Sequence, residues 1–398
     1  MKREYCSGCG AGALDMFLDL GTSPIADAYT DSPDDNVQRH PLQVAVCVKC
    51  HLVQLLEVVD PKVLFNDGYS FYSSDSPPLV AYHRRYAEDL LARFPDEAES
   101  GVLEVGCNDG DLLRHFSHLP HLGVDPTGGP TARAAERGLD VVNEPFSLAL
   151  AQGLGRRFGV IIANHVLAHV VDASDVLAGI SDLLLPGGVA LIEVQYLPDL
   201  LVNNAFDLVY HEHRNFFSLT TLNRAAELQG LHVADAQLTD RQGGSLRVTL
   251  RKHGWLNGDL RDIPRSETWL NDLSAYAGVQ GRVERIRTRL QDLVTQERYA
   301  GRIVAGYGAP AKATTLLNFC QLGSSSIEFI MDPAPSKIGR YIPGTDIQIV
   351  APDSTMINPD ATVLLLIWNY ASAIMRQYET FMTGGGRWII PFPAPTLL

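Results

Sequence analysis

The chain has 398 residues, 46% hydrophobic and 20% charged, which is ordinary for a folded protein and long enough for two or three domains rather than one core. Its formal charge of -14 disfavours nucleic acid or an anionic membrane surface as a partner, because phosphate binding rests on a basic face. No apolar run approaches bilayer-spanning length, the longest being VLLLIW at 363–368, and MKREYC passes from charge to cysteine without a leader's apolar core. A soluble cytoplasmic protein is expected, with a small molecule rather than a polymer as its partner.

Four of the six cysteines form two pairs, Cys6-x-x-Cys9 and Cys47-x-x-Cys50. The two-residue spacing lets both thiolates of a pair face one ion, and two pairs complete a tetrahedral, structural Zn2+ site with no position open for catalysis. The long connection between the pairs leaves room for the loop GTSPIADAY, and His51 is read as a bystander. Residues 1–60 are expected to form the zinc-binding domain and 61–98 a helical linker and lid.

Residues 102–113, VLEVGCNDGDLL, read as an apolar strand, a turn with Gly106 and Gly110, and a helix starting near Asp109. Glycine permits the tight turn that brings backbone N–H groups up to a ligand. Glu104 at the strand end would repel a pyrophosphate but suits a hydroxyl or ammonium group, so the expected ligand is a nucleoside with a cationic tail, which S-adenosylmethionine (SAM) is. The spacing is not the GxGxxG of dinucleotide folds. HLGVDP at 121–126 reads as a second strand ending in Asp125, an acceptor for ribose hydroxyls. A third strand leads to residues 143–146, and FGVIIANH at 158–165 is a fourth, ending in Asn164. A helix over 174–185 stops at Pro186-Gly187-Gly188 and feeds the strand VALIEV. This alternation is that of a doubly wound α/β sheet, with its ligand crevice at the carboxyl ends of the strands. Cys107 and Cys320 are read as packing residues, and His115 and His165 as surface or packing histidines.

After VALIEV the chain inserts QYLPDLLVNNAFDLVYHEHRNFFS, in which Tyr210, His211, Glu212 and His213 stand in a row. Ser218 is placed to cap a following helix that ends at Gly230. The cluster then lies on a loop beside the carboxyl edge of the sheet, where catalytic groups concentrate. HEH lacks the spacing of a zinc-protease helix. A histidine near neutrality suits removal of a proton from carbon next to a carbonyl, with a tyrosine or second histidine steadying the enolate. Asn164 and His169, from ANHVLAH, are expected at the same crevice.

From 254 to 300 the helical spacing of apolar residues predicts connecting helices. GRIVAGYGAPAKATTLLN then repeats the strand, turn and helix, with Gly306, Gly308 and Lys312. No acid ends this strand, so a phosphate at the helix N-terminus fits. IEFIMDP ends in Asp332, and Lys312, Lys337, Arg340 and Arg247 are candidate cations for a diphosphate.

Taken in order, the cysteine pairs, FYSS, EVGCNDG, ANHVLAH, FDLVYHEH, QGGSLRVTL and GYGAPAKATTLLNFC resemble the SAM-dependent sugar-nucleotide C-methyltransferases of antibiotic deoxysugar pathways, over nearly the whole chain. The resemblance implies an α/β protein in which a class I methyltransferase Rossmann-like domain, residues 99–253, lies between the zinc domain and a second Rossmann-like, sugar-nucleotide-binding domain over 301–398. It implies a thymidine diphosphate (TDP)-linked 4-keto-deoxysugar methylated at carbon 3. Carried over by position, the base falls on His213 with Tyr210 and Glu212 beside it, and Tyr72 and His169 complete the pocket. Glu104, Gly106, Asn108, Asp125, Phe146 and Asn164 fall on SAM-binding positions. Asp125 stands where other members use glutamate, FYSS has no second aromatic nearby, and His211 stands where aspartate is common, which adds a rival base. Three other readings are an NADPH-dependent ketoreductase of the same ketosugar, a non-catalytic sugar-nucleotide binder, and a methyltransferase for a non-sugar ketone or hydroxyl.

Overall fold

The computed structural model describes residues 2–64, 71–239, 241–252, 263, 266–352 and 360–398. Three sheets organise them.

The amino-terminal sheet is antiparallel, in the order β1 (Leu14–Pro24), β2 (Arg39–Cys47), β3 (Val53–Leu55), β9 (Asn215–Phe216). Its last strand comes from the inserted segment: Phe216 pairs with Val53 and Asn215 with Gln54. The residues just after YHEH are thus stitched to the zinc domain, across 161 positions of sequence in the Gln54–Asn215 pair.

The central sheet runs β10-β11-β8-β7-β4-β5-β6. Its parallel strands are β4 (Val102–Val105), β5 (His121–Val124), β6 (Val141–Val142), β7 (Phe158–Asn164) and β8 (Leu184–Gln195). β10 (His232–Thr239) and β11 (Ser245–Arg251) add an antiparallel edge. Alternate residues of each strand feed different cores, as two-sided burial requires. Leu103, Val105, Ile161, Ala163, Ile192 and Val194 pack on one face, and Val102, Val160, Ile162 and Leu191 pack under the helix Pro77–Arg93 on the other. Each such Leu, Ile or Val side chain contributes about 1.5–3 kcal/mol when fully buried.

Two sequence expectations are corrected here. No α-helix starts at Asp109; the turn leads into a short 3-10 helix, Leu113–Phe116. Asn108 (φ 49°) and Gly110 (φ 75°) are left-handed, a conformation a right-handed helix cannot include. Likewise the helix Ala173–Leu183, capped by Asp172 on the amides of Ser174 and Asp175, ends before Pro186-Gly187-Gly188, which lies inside β8. The register jumps from Phe158–Leu184 to Val160–Val189 to accommodate the extra residues. Ser218 does cap the helix Leu219–Glu227, in a capping box with Thr221.

The third sheet, order β14-β13-β12-β15-β16-β17, is parallel except for its last strand. It comprises β12 (Ile303–Tyr307), β13 (Ile330–Met331), β14 (Ile349–Val350), β15 (Ala361–Leu365), β16 (Arg387–Ile390) and β17 (Thr396–Leu397). The connecting region holds 3-10 turns at Thr268–Asn271 and Leu273–Tyr276 and the helix Val279–Tyr299; its expected beginning, residues 254–262, lies outside the described residues. Val279, Val283, Ile286, Leu290 and Leu293 make the helix's buried stripe, in one core with Leu18, Leu20 and Val44 of the first sheet, Val304 and Ile330 of the third, and Leu316 of the helix Ala311–Phe319. The same core takes in Phe206 and Val209 before YHEH and Phe216 after it, which anchors the row on both sides.

Candidate active site

At the crevice of the central sheet, Asp125 directly follows β5 and accepts hydrogen bonds from the amides of Asn108 and Thr127, each at 2.8 Å. The third sheet repeats the device: Asp332, after β13, accepts from the amides of Ala309 at 2.7 Å and Ala334 at 2.8 Å. In each module the acid after the second strand holds the turn after the first. Gly106 (φ 72°) and Gly110 (φ 75°) shape the first turn, and a Cβ on either would lie 2.5 Å from Val166 or 2.3 Å from Leu139. Glu104 is buried, and its Oε2 has no hydrogen-bond partner among the described residues. Burial, then the charges of Asp125 and Asp111, push its carboxyl well above the usual range. An open acceptor at the end of β4, beside a glycine-shaped backbone, fits a polar nucleoside ligand such as SAM. Asn164 ends β7 with its Nδ2 also unpartnered among the described residues, and Phe146 packs against Gly179.

The four cysteines of the pairs converge, their sulfurs all within 4.8 Å of one another. Cys6–Cys50 and Cys9–Cys47 separations of 3.5 and 3.7 Å match the edge of about 3.8 Å that a tetrahedron of Zn–S bonds near 2.3 Å requires. Cys107 and Cys320 are buried elsewhere.

The YHEH row is a turn, closed by a hydrogen bond from the His213 amide to the Tyr210 carbonyl at 2.9 Å, and its side chains part company. His211 faces the zinc domain, with Nε2 3.2 Å from the Pro41 carbonyl and its ring 5.7 Å from that of His40. His213 faces the other way. Its Nδ1 lies 2.8 Å from the Leu208 carbonyl and its Nε2 2.7 Å from the Tyr210 hydroxyl. A carbonyl can only accept, so Nδ1 carries the proton and Nε2 presents its lone pair to the tyrosine. Burial, then neighbouring His169, lower the His213 pKa well below 6.5. His169 is 5.0 Å away, ring to ring, with Nδ1 2.8 Å from the Glu212 carbonyl; burial takes its pKa down to about 4. Burial, then the charge of Asp27, push the Glu212 carboxyl up to about 8, and its Oε2 has no partner among the described residues.

Asp27 and Tyr29 were missed in the sequence. They lie on the loop GTSPIADAY, where only a spacer was read. Tyr29 donates to the Ala309 carbonyl at 2.6 Å, Lys337 donates to the same carbonyl at 2.8 Å, and the Arg340 guanidinium binds Asp31 and the Tyr29 carbonyl. The zinc-domain loop thus meets the Gly308 turn, with Asp332, Lys337 and Arg340 gathered around it.

Three residues stand apart from where they were expected. Lys312 is buried, donating to Asn369 at 2.8 Å with Asp207 at 3.9 Å, and lies 4.2 Å from the Trp368 ring. Arg247 is bound to Glu193 in the central sheet, away from the other three cations. Tyr72 packs beside the β4 and β5 turns rather than on His213: its ring lies 3.7 Å under the Arg133 guanidinium and its hydroxyl meets Gly129.

The crevice, its two-glycine turn and the seven-stranded sheet define a SAM-dependent methyltransferase of the class I fold. Three family models match along the chain: a proposed zinc binding domain over 6–65, a methyltransferase domain over 79–236, and a C-methyltransferase C-terminal domain over 240–393. The C-methyltransferase NovU of Streptomyces niveus is 32% identical over 99% of this chain and 97% of its own length. The chain belongs to that C-methyltransferase family. Other relatives cover a smaller share of the chain. Trans-aconitate 2-methyltransferase of Deinococcus radiodurans is 30% identical over 27% of this chain and 43% of its own. A ubiquinone biosynthesis O-methyltransferase of a Methylobacterium species is 26% identical over 38% and 67%.

Proposed function

We propose that the protein methylates carbon 3 of a TDP-linked 4-keto-deoxysugar in antibiotic deoxysugar biosynthesis, with His213 as the base. The observation that carries the reading is the fixed tautomer of His213. Leu208 holds the Nδ1 proton, so Nε2 is a neutral acceptor at physiological pH without waiting for deprotonation. The C4 ketone acidifies the hydrogen on carbon 3; Nε2 takes it, and Tyr210, released from Nε2, donates to the enolate oxygen as charge grows there. Glu212, its carboxyl pushed up by burial and then by the charge of Asp27, faces the loop that carries Asp27. SAM, when bound, supplies the electrophilic methyl group; Glu104, Asp125, Asn164 and the Gly106 turn would hold it. His211 is engaged with Pro41 on the opposite side, which favours His213 over it as base.

The zinc ion would hold the first sheet, and with it Asp27 and the β3–β9 pairing that supports the YHEH turn. Lys337, Arg340, Asp332 and the Gly308 turn form the best-gathered candidate for the nucleotide end of the acceptor. We keep five segments, 1–60, 61–98, 99–253, 254–300 and 301–398, as the proposed organisation; the separate sheets and the helix Val279–Tyr299 support it, with 215–216 lent to the first sheet. Incubation with SAM and a TDP-4-keto-deoxysugar, read by mass spectrometry and NMR, tests the reading: a gain of one methyl group on carbon 3 supports it. Methylation on oxygen, or none with any ketosugar nucleotide, contradicts it.

A further inference from the structure

Residues 71–86 cross the carboxyl edge of the central sheet strand by strand. The Phe71 carbonyl and Ser73 amide bind the side chain of Asn108, after β4, at 3.0 and 2.8 Å. Tyr72 covers the start of the helix Gly128–Glu136, after β5. Within the helix Pro77–Arg93, His83 meets Asp111 at 2.8 Å and Tyr86 reaches Asn164, at the end of β7, at 3.4 Å. Tyr82 donates to Glu193 of β8 at 2.5 Å.

Glu193 is the centre of this last contact and has no exposed surface. Its Oε2 also accepts from Arg247 of β11 through Nε at 3.0 Å and a terminal nitrogen at 2.8 Å, and its Oε1 lies 3.0 Å from His165 Nε2. Arg241 stacks 3.7 Å from the Tyr82 ring and Arg247 4.3 Å from the Tyr86 ring. Burial opposes ionisation, but the hydrogen bond and charge of His165, then Arg247 and Tyr82, hold the carboxylate ionised. A buried ion pair is a weak source of stability, since an apolar replacement of the same shape does as well or better. What this one does supply is direction: it fixes which turn of the helix faces β8, and at what height.

We propose that Glu193 is a positioning residue for the methyl donor: through Tyr82 it sets the register of the helix Pro77–Arg93, so that Tyr72 and Tyr86 form the outer wall of the SAM crevice. None of these groups needs to touch the reacting atoms. The inference rests on the chain's use of SAM and not on the identity of the acceptor, so it can fail while the sugar reading stands, and the reverse.

The test is binding of SAM and S-adenosylhomocysteine to the full chain by calorimetry, without acceptor. Tyr82→Phe, which keeps the ring and removes the hydroxyl, is expected to weaken both about tenfold, and Glu193→Gln by at least as much. The double variant is expected to be no weaker than Glu193→Gln alone, because both changes break one connection. Amide exchange in 77–93, measured with SAM bound, is expected to rise in Tyr82→Phe. Arg93→Gln removes the same helix's exposed contact with Asp235 and is expected to leave affinity unchanged. If Glu193→Gln does not fold, Tyr82→Phe decides. Unchanged affinity in a folded Tyr82→Phe, or an equal loss in Arg93→Gln, overturns the proposal.

Discussion

The Tyr210 hydroxyl donates to His213 Nε2 across 2.7 Å, with ring centroids 3.9 Å apart. A base that already holds a donor at its lone pair can exchange that donor for the substrate's C–H, and the freed hydroxyl then stands next to the forming enolate. His213→Ala is therefore expected to lower methyl transfer by about 10²–10⁴-fold, the usual worth of a positioned base, while SAM affinity stays within a factor of about two. Tyr210→Phe, which keeps the packing, is expected to lower turnover by roughly 10–100-fold, a part of the effect of losing an oxyanion donor. Initial rates with calorimetric SAM binding check both.

The pH dependence has a sign set by burial. With the His213 pKa well below 6.5, the acid limb of the kcat/KM profile is expected below pH 6.5. A limb above 6.5 that disappears in His213→Ala would contradict the environment described.

Stability carries a second pH signature. Glu212 titrates at about 8 when folded, against about 4.5 for an ordinary glutamate, so the folded state holds its proton more tightly and stability falls as pH rises from 4.5 to 8. His169 and His211, both held down to about 4, act in the opposite direction, but only below 6.5. Between pH 6.5 and 8 the Glu212 contribution is opposed by neither histidine. The zinc thiolates act with the opposite sign over this range, so the Glu212 contribution is read as a difference: the melting temperature of the wild-type chain relative to Glu212→Gln is expected to drop across that window.

Zinc should matter to catalysis more than to donor binding, because β9 pairs with β3 while the crevice proposed for SAM lies at the ends of β4, β5 and β7. One zinc per chain is expected by metal analysis. Cys9→Ser, or treatment with a strong chelator, is expected to release it and to lower turnover at least tenfold, with SAM affinity reduced far less. Equal losses in both would place the zinc domain's influence elsewhere.

How much could be read from the sequence follows from sequence distance. The cysteine pairs, the Gly106 turn and the Ser218 cap are local patterns, and each forms as its spacing requires. The helix placed at Asp109 failed because Asn108 takes a left-handed conformation that its residue type permits but does not announce. Tyr72, read as a partner of His213, packs instead on Arg133 of the helix Gly128–Glu136, a placement that its local sequence does not announce. Asp27 and Glu193 escaped notice because their partners lie in other modules or on distant strands. Glu193 did carry a signal, an acid inside the apolar strand VALIEV, of the same kind that singled out Glu104. Tyr82 and Tyr86, four apart on one helical face, carried another.

The central claim is that His213 removes a hydrogen from carbon next to a ketone. The most direct measurement is exchange of the carbon-3 hydrogen of a TDP-4-keto-deoxysugar in deuterium oxide, followed by NMR with S-adenosylhomocysteine in place of SAM, so that methylation cannot follow. The account expects exchange with the wild-type chain and only background exchange with His213→Ala. Exchange that persists at the wild-type rate in His213→Ala would contradict it.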